Sequence, residues 1–157
     1  MEILIRMDCP IPGLDEQKIR VKAKRALEDL GCLDKELSVL FTDDEHMAAL
    51  NRQYRDKEGP TDVLSFPMTE DLDGEIAPAL FEPVMLGDVV VSVETALRDA
   101  EELEQSFERT VDRLLIHGIL HLLGYDHEKS QVDAMCMTKE EERLMALLEK
   151  PDRKSVV

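Results

Sequence analysis

Between residues 114 and 123 the chain is apolar at nearly every position, and the polar exceptions are His117 and His121. A helix that is apolar all round is a buried one, so these imidazoles should line an interior cleft. Around this segment the pattern of apolar and polar positions predicts four strands and five helices. Residues 2–7 (EILIRM) read as a strand rich in Ile and Leu, broken by Pro10, Pro12 and Gly13. Asp15 then caps a helix to about residue 30, with Ile19, Ala23, Ala26, Leu27 and Leu30 on its apolar face. Residues 36–41 (ELSVLF) form the second strand. Thr42 and Glu45 offer a capping box to a second helix, with Met47, Leu50 and Tyr54 facing inward. Gly59-Pro60 breaks the chain, and residues 63–66 (VLSF) form a short strand ended by Pro67. The Val run of 86–91 (LGDVVV) predicts a fourth strand buried on both faces. Ser92 caps a helix over about 93–104, and Ser106 caps the apolar helix. A last helix, about 130–149, should pack through Val132, Met135, Met137, Leu144, Leu147 and Leu148. The order is βαβαββααα. A long acidic loop, 68–85, separates the third and fourth strands, and a polar tail follows Pro151.

The chemistry lies in HGILHLLGYDH, residues 117–127. Histidines four apart on a helix differ by roughly 40° and about 6 Å of rise, so both leave one face. Gly124 can end the helix in the left-handed conformation. Three residues later His127 can swing back beside the first two. Three neutral imidazoles make an open metal site best suited to zinc, with a fourth position for water or substrate. The frame matches the metzincin motif H-E-x-x-H-x-x-G-x-x-H except that Gly118 stands where those proteases carry a general-base Glu.

With 157 residues and one core, 1–150 reads as a single domain and 151–157 as its tail. No apolar run is long enough to span a membrane, and the first residues do not form a signal peptide. Cys9, Cys32 and Cys136 are odd in number and far apart, the pattern of reduced thiols in a cytoplasmic protein. The net charge of −16 argues against broad, charge-driven binding of nucleic acid. An RNA substrate would need local positive charge. Lys18, Lys22 and Arg25 share one face of the first helix, either as a solvated face or as an RNA-backbone contact.

Arg55, one turn beyond Asn51, is the best-placed phosphate clamp, or else a surface cation paired with Asp56 or Glu58. Thr61, Asp62 and Ser65 could line the cleft and bind substrate by hydrogen bonding. Asp62 could equally be a turn residue, and Ser65 could only satisfy backbone. Asp126 could orient a histidine ligand or be a plain turn residue. Asp88 has no role that the sequence assigns. Met135 or Met137 could floor the metal site, though plain core packing explains both.

Three segments carry a family resemblance: HGILHLLGYDH, LNRQYRDKEGPTDVLSFP (50–67) and LGDVVVS (86–92). Together they make the chain resemble the YbeY-type metal-dependent endoribonucleases, and Gly in place of Glu after the first His is that family's own pattern. The resemblance implies an α+β, zincin-like fold: a mixed, mainly parallel four-stranded sheet on about five helices, with the third strand at the cleft edge. It implies one zinc on His117, His121 and His127, a functional Arg55, and cleavage of single-stranded RNA. It further implies processing of the 16S rRNA precursor at its 3′ end and ribosome quality control, with the small ribosomal subunit as partner. The competing readings are a zinc metallopeptidase, which lacks its base at Gly118, and a non-catalytic ribosome assembly factor. A structural zinc usually has four protein ligands, and no Cys is placed to be the fourth.

Overall fold

The computed structural model describes residues 3–8, 11–32, 34–67, 85–125 and 130–150. Asp126, His127, residues 68–84 of the acidic loop and the tail 151–157 lie outside them. The elements are β1 (Ile3–Met7), α1 (Glu16–Asp29), β2 (Glu36–Thr42), α2 (Asp44–Arg55), β3 (Val63–Pro67), β4 (Met85–Ser92), α3 (Val93–Glu102), α4 (Phe107–Leu122) and α5 (Gln131–Glu149). This is the expected order.

The sheet runs β1-β2-β4-β3. β1, β2 and β4 are parallel, and β3 pairs antiparallel to β4 at the edge. The architecture is the mixed, mainly parallel α+β one that the sequence implied. Val89, Val90 and Val91 of β4 are all buried, because helices cover both faces there. On one face α4 lies over Val89 and Ser65. On the other, Met47 of α2 packs with Leu64 and Val90.

Three sequence expectations change. The N-cap of α2 is Asp43, whose carboxylate accepts from the His46 N–H at 2.8 Å. Thr42 is the last residue of β2, and its hydroxyl donates to Asp8 at 2.5 Å. Tyr54 is not inward: it is 59% exposed and meets Phe66 edge-on. α5 packs through Met137, Leu144, Met145 and Leu148, whereas Val132 and Met135 are exposed. At 100° per residue those two fall on roughly the opposite side of the helix from the buried set.

Two cations of α1, Lys22 and Arg25, make tertiary contacts. The Lys22 ammonium donates to Asp112 and Glu108 of α4, each at 2.8 Å at the nearest oxygen. The Arg25 guanidinium donates to the carbonyls of Leu147 (2.7 Å) and Lys150 (2.9 Å) at the end of α5, where carbonyls run short of helical donors. Lys22 and Arg25 are therefore engaged by α4 and α5, whereas Lys18 of the same face is exposed.

Candidate metal centre on the buried helix

α4 starts at Ser106, whose hydroxyl accepts from the Arg109 N–H at 3.1 Å. It ends at Leu123 in a Schellman motif. The Gly124 N–H reaches the His121 carbonyl (3.0 Å), the Tyr125 N–H reaches that of Leu120 (3.1 Å), and Gly124 has φ +98. That conformation is why a glycine closes this helix. From Thr110 to Leu122 every residue is buried except Arg113, His117 and His121, which are half-buried. Spaced four apart, they form one narrow window from the core to solvent.

Through that window the two imidazoles converge. His117 Nε2 and His121 Nε2 lie 3.1 Å apart, with ring centroids separated by 4.7 Å. Two nitrogens bound to one tetrahedral zinc at 2.0–2.1 Å would stand about 3.3 Å apart. The pair thus has the spacing of ligands that share a cation. The described residues contain two of the three expected ligands; His127 lies outside them.

Glu141 of α5 holds the far side of His117. Its carboxylate is hydrogen-bonded to His117 Nδ1. A carboxylate there keeps the proton on Nδ1, which turns the Nε2 lone pair toward the pair's common centre. The sequence offered Asp126 for such a role, a residue outside the described ones, and gave no place to Glu141. A signal was present, because Glu141 is an acid inside the stripe of Met137, Leu144 and Leu148 that α5 buries.

Gly118 also has a structural cause. A Cβ there would sit 2.6 Å from Val89 Cγ1 and 3.3 Å from Ser65 Oγ. The helix is pressed onto β4 and β3 at this residue, and position 118 faces the sheet. The missing carboxylate is thus also a missing volume: a Glu side chain has no room between α4 and β4.

The remaining candidates fall in different places. Ser65 is buried, and its hydroxyl donates to the Gly118 carbonyl at 2.9 Å. It satisfies backbone and clamps β3 to α4 rather than meeting solvent. The Asp62 carboxylate accepts from the Val63 N–H (2.8 Å) and the Thr61 hydroxyl (3.3 Å), and its carbonyl accepts from the Ser92 N–H (2.9 Å). Both residues build the turn that starts β3. Burial, and then the charge of Asp62, push the Asp99 carboxyl of α3 above the usual range. Arg55 stands exposed at the last residue of α2, the helix on the other face of the sheet from α4. Asp88 is half-buried, level with Phe66 of β3 and Ser38 of β2. Met137 is fully buried against Ile116 and Leu120, as core packing requires, and Met135 points outward.

The chain is similar to known proteins in sequence and in fold. Residues 12–149 match the family model described as Endoribonuclease YbeY. Among similar proteins, one from Aquifex aeolicus named Endoribonuclease YbeY is 52% identical over 114 residues, covering 73% of this chain and 71% of that protein. Another of the same name, from Syntrophus aciditrophicus, is 40% identical over 149 residues, covering 94% and 90%. In three dimensions the chain is similar to a Thermotoga maritima protein solved in solution. The TM-score is 0.61 at 24% identity, over 93% of this chain and 88% of that one, a likeness of fold.

Proposed function

The chain belongs to the YbeY endoribonuclease family, and from that premise we propose that it is a zinc-dependent endoribonuclease that cuts single-stranded RNA. Its proposed place is 16S rRNA 3′-end maturation and ribosome quality control, with the small ribosomal subunit as partner. The observation that carries the reading is the convergence of His117 and His121 Nε2 at 3.1 Å, with Glu141 behind His117.

His117 and His121 would hold the ion, joined by His127. When bound, zinc supplies a Lewis acid that polarises a phosphoryl oxygen and acidifies bound water. The chain's own residues do the rest. Glu141 holds the proton at His117 Nδ1 and fixes that ring. Gly124 turns the chain so that residues after α4 can return to the histidine face. Arg55, exposed on α2, is the candidate clamp for two phosphate oxygens, which a planar guanidinium grips better than an ammonium. No helix of the described residues is long and apolar enough to cross a membrane.

The peptidase reading is disfavoured by Gly118. General-base help is worth about 10²–10⁴-fold, and position 118 has neither a carboxylate nor space for one. The test is labelled single-stranded RNA, duplex RNA and casein, each with metal-replete and chelated protein. Chelator-sensitive cleavage of the single strand alone is expected. Metal-dependent casein cleavage with intact RNA would overturn the proposal. Activity on no substrate, even with ribosomes present, would favour a non-catalytic assembly factor.

A further inference from the structure

The window in α4 has a third member that the metal does not use. Arg113 precedes His117 by one turn, and it is half-buried while its neighbours on both sides are buried. The stripe continues one turn further back to Arg109, so its sequence is Arg109, Arg113, His117, His121. α5 runs antiparallel beside it, and two contacts fix the register. Arg109 is ion-paired with Glu149, and His117 is hydrogen-bonded to Glu141. The residue of α5 level with Arg113 is then Met145, which is buried and apolar. Each neighbouring basic position on the stripe thus has an acid from α5, and Arg113 does not. Asp99 of α3 is near enough to feel its charge, but among the described residues no hydrogen bond or ion pair takes up the guanidinium.

The Arg113 guanidinium keeps its donors within reach of solvent, so they are available to a ligand. It stands about 6 Å along the helix from His117. In a chain of net charge −16, such a cation beside a metal centre suits an anionic ligand. We infer that Arg113 is a substrate-binding residue, which grips a phosphate of the RNA strand adjacent to the one held at the histidine centre. This rests on the endoribonuclease reading and extends it. The strand would lie along the α4 window from His121 toward Arg113, and Arg113 would add affinity without touching the reacting atoms.

The test is fluorescence anisotropy of a labelled single-stranded RNA on zinc-loaded wild type, Arg113→Gln, Arg113→Lys and Asp99→Asn. Binding is read before cleavage, with RNA integrity checked on a gel. Zinc content and melting temperature are measured on every sample. Loss of one charge-assisted phosphate contact predicts about tenfold weaker binding for Arg113→Gln. The slope of log affinity against log salt should flatten by about 0.7. Arg113→Lys should keep most of the slope, because the charge remains. Zinc content should not move. Equal affinity and slope in wild type and Arg113→Gln would overturn the inference. So would a melting temperature lowered equally in Arg113→Gln and Asp99→Asn with RNA affinity unchanged, since the pairing would then be structural. Wild type that binds RNA through Arg113 without cutting it would refute the proposed activity and keep this inference. Wild type that cuts RNA while Arg113→Gln binds equally would do the reverse.

Discussion

Restoring the protease-type residue at position 118 should break the fold rather than create a protease. The smaller step, Gly118→Ala, isolates the cause. Alanine gains about 0.8–1.0 kcal/mol over glycine in a helix interior. Against this, the new Cβ would lie 2.6 Å from Val89 Cγ1 and 3.1 Å from Cγ2. Val89 is fully buried on the central strand β4, and a β-branched side chain has little freedom to turn away. Overpacking of this kind costs about 1–3 kcal/mol. The net effect is destabilisation by about 1 kcal/mol, or about 2–4 °C in melting temperature for a chain of this size. Gly118→Glu adds a longer side chain and a carboxylate with no partner in the sheet. That costs several kcal/mol more, a large share of the 5–15 kcal/mol a domain has. Val89→Ala alone should cost about 2 kcal/mol, from its lost methyl groups and the cavity left behind. In the double variant the two changes should compensate, with a coupling of at least about 0.5 kcal/mol. Thermal melts of the four proteins, with zinc held constant, give the cycle. A Gly118→Ala protein more stable than wild type, or strict additivity with Val89→Ala, would refute the argument from packing. A folded Gly118→Glu protein that digests casein would refute it outright.

Three further perturbations follow from the structure. Glu141→Gln should weaken zinc affinity about 10–100-fold, read by competition with a chelator; unchanged affinity would mean that the carboxylate does not orient His117. Lys22→Met leaves Asp112, already pushed above the usual carboxylate range by burial, without its cation. It should cost about 3–5 kcal/mol at neutral pH. Because a raised folded pKa penalises only the ionised form, the loss should fade as pH falls through the carboxylate range, and a pH-independent loss would contradict this. The Thr42 hydroxyl, then His46, hold the Asp8 carboxyl below its ordinary value, against a partial opposing effect of burial. Thr42→Val should move the Asp8 titration upward by NMR. The stability that ionised Asp8 contributes above the ordinary carboxylate pKa should then be lost at a higher pH on acidification. An unmoved Asp8 titration would show that the hydrogen bond has no such effect.

Local rules made the order of elements legible, because Pro, Gly and the capping residues Asp15, Ser92, Ser106 and Ser130 mark boundaries directly in the chain. The histidine pair was legible for the same reason, since four residues on a helix is a fixed geometry. What the sequence hid was contact between distant segments. Glu141 reaches His117 across 24 positions, and no spacing rule joins them. Lys18, Lys22 and Arg25 share one face, but periodicity does not say that α4 takes up Lys22 and α5 takes up Arg25. For Ser65 the sequence left two roles open, lining the cleft or satisfying backbone. The structure shows the second, because the close approach of α4 at Gly118 brings a backbone carbonyl within reach. The capping box on α2 failed by one residue, since Asp43 competed with Thr42 for the same backbone donors.

Whether the window in α4 is a metal centre is tested most directly by zinc stoichiometry. Elemental analysis of the purified protein, of His117→Ala and of His121→Ala should give one zinc per chain in wild type and almost none in either variant. Circular dichroism should show that the variants remain folded. Equal zinc in all three proteins, or none in wild type after zinc is supplied, would contradict the claim.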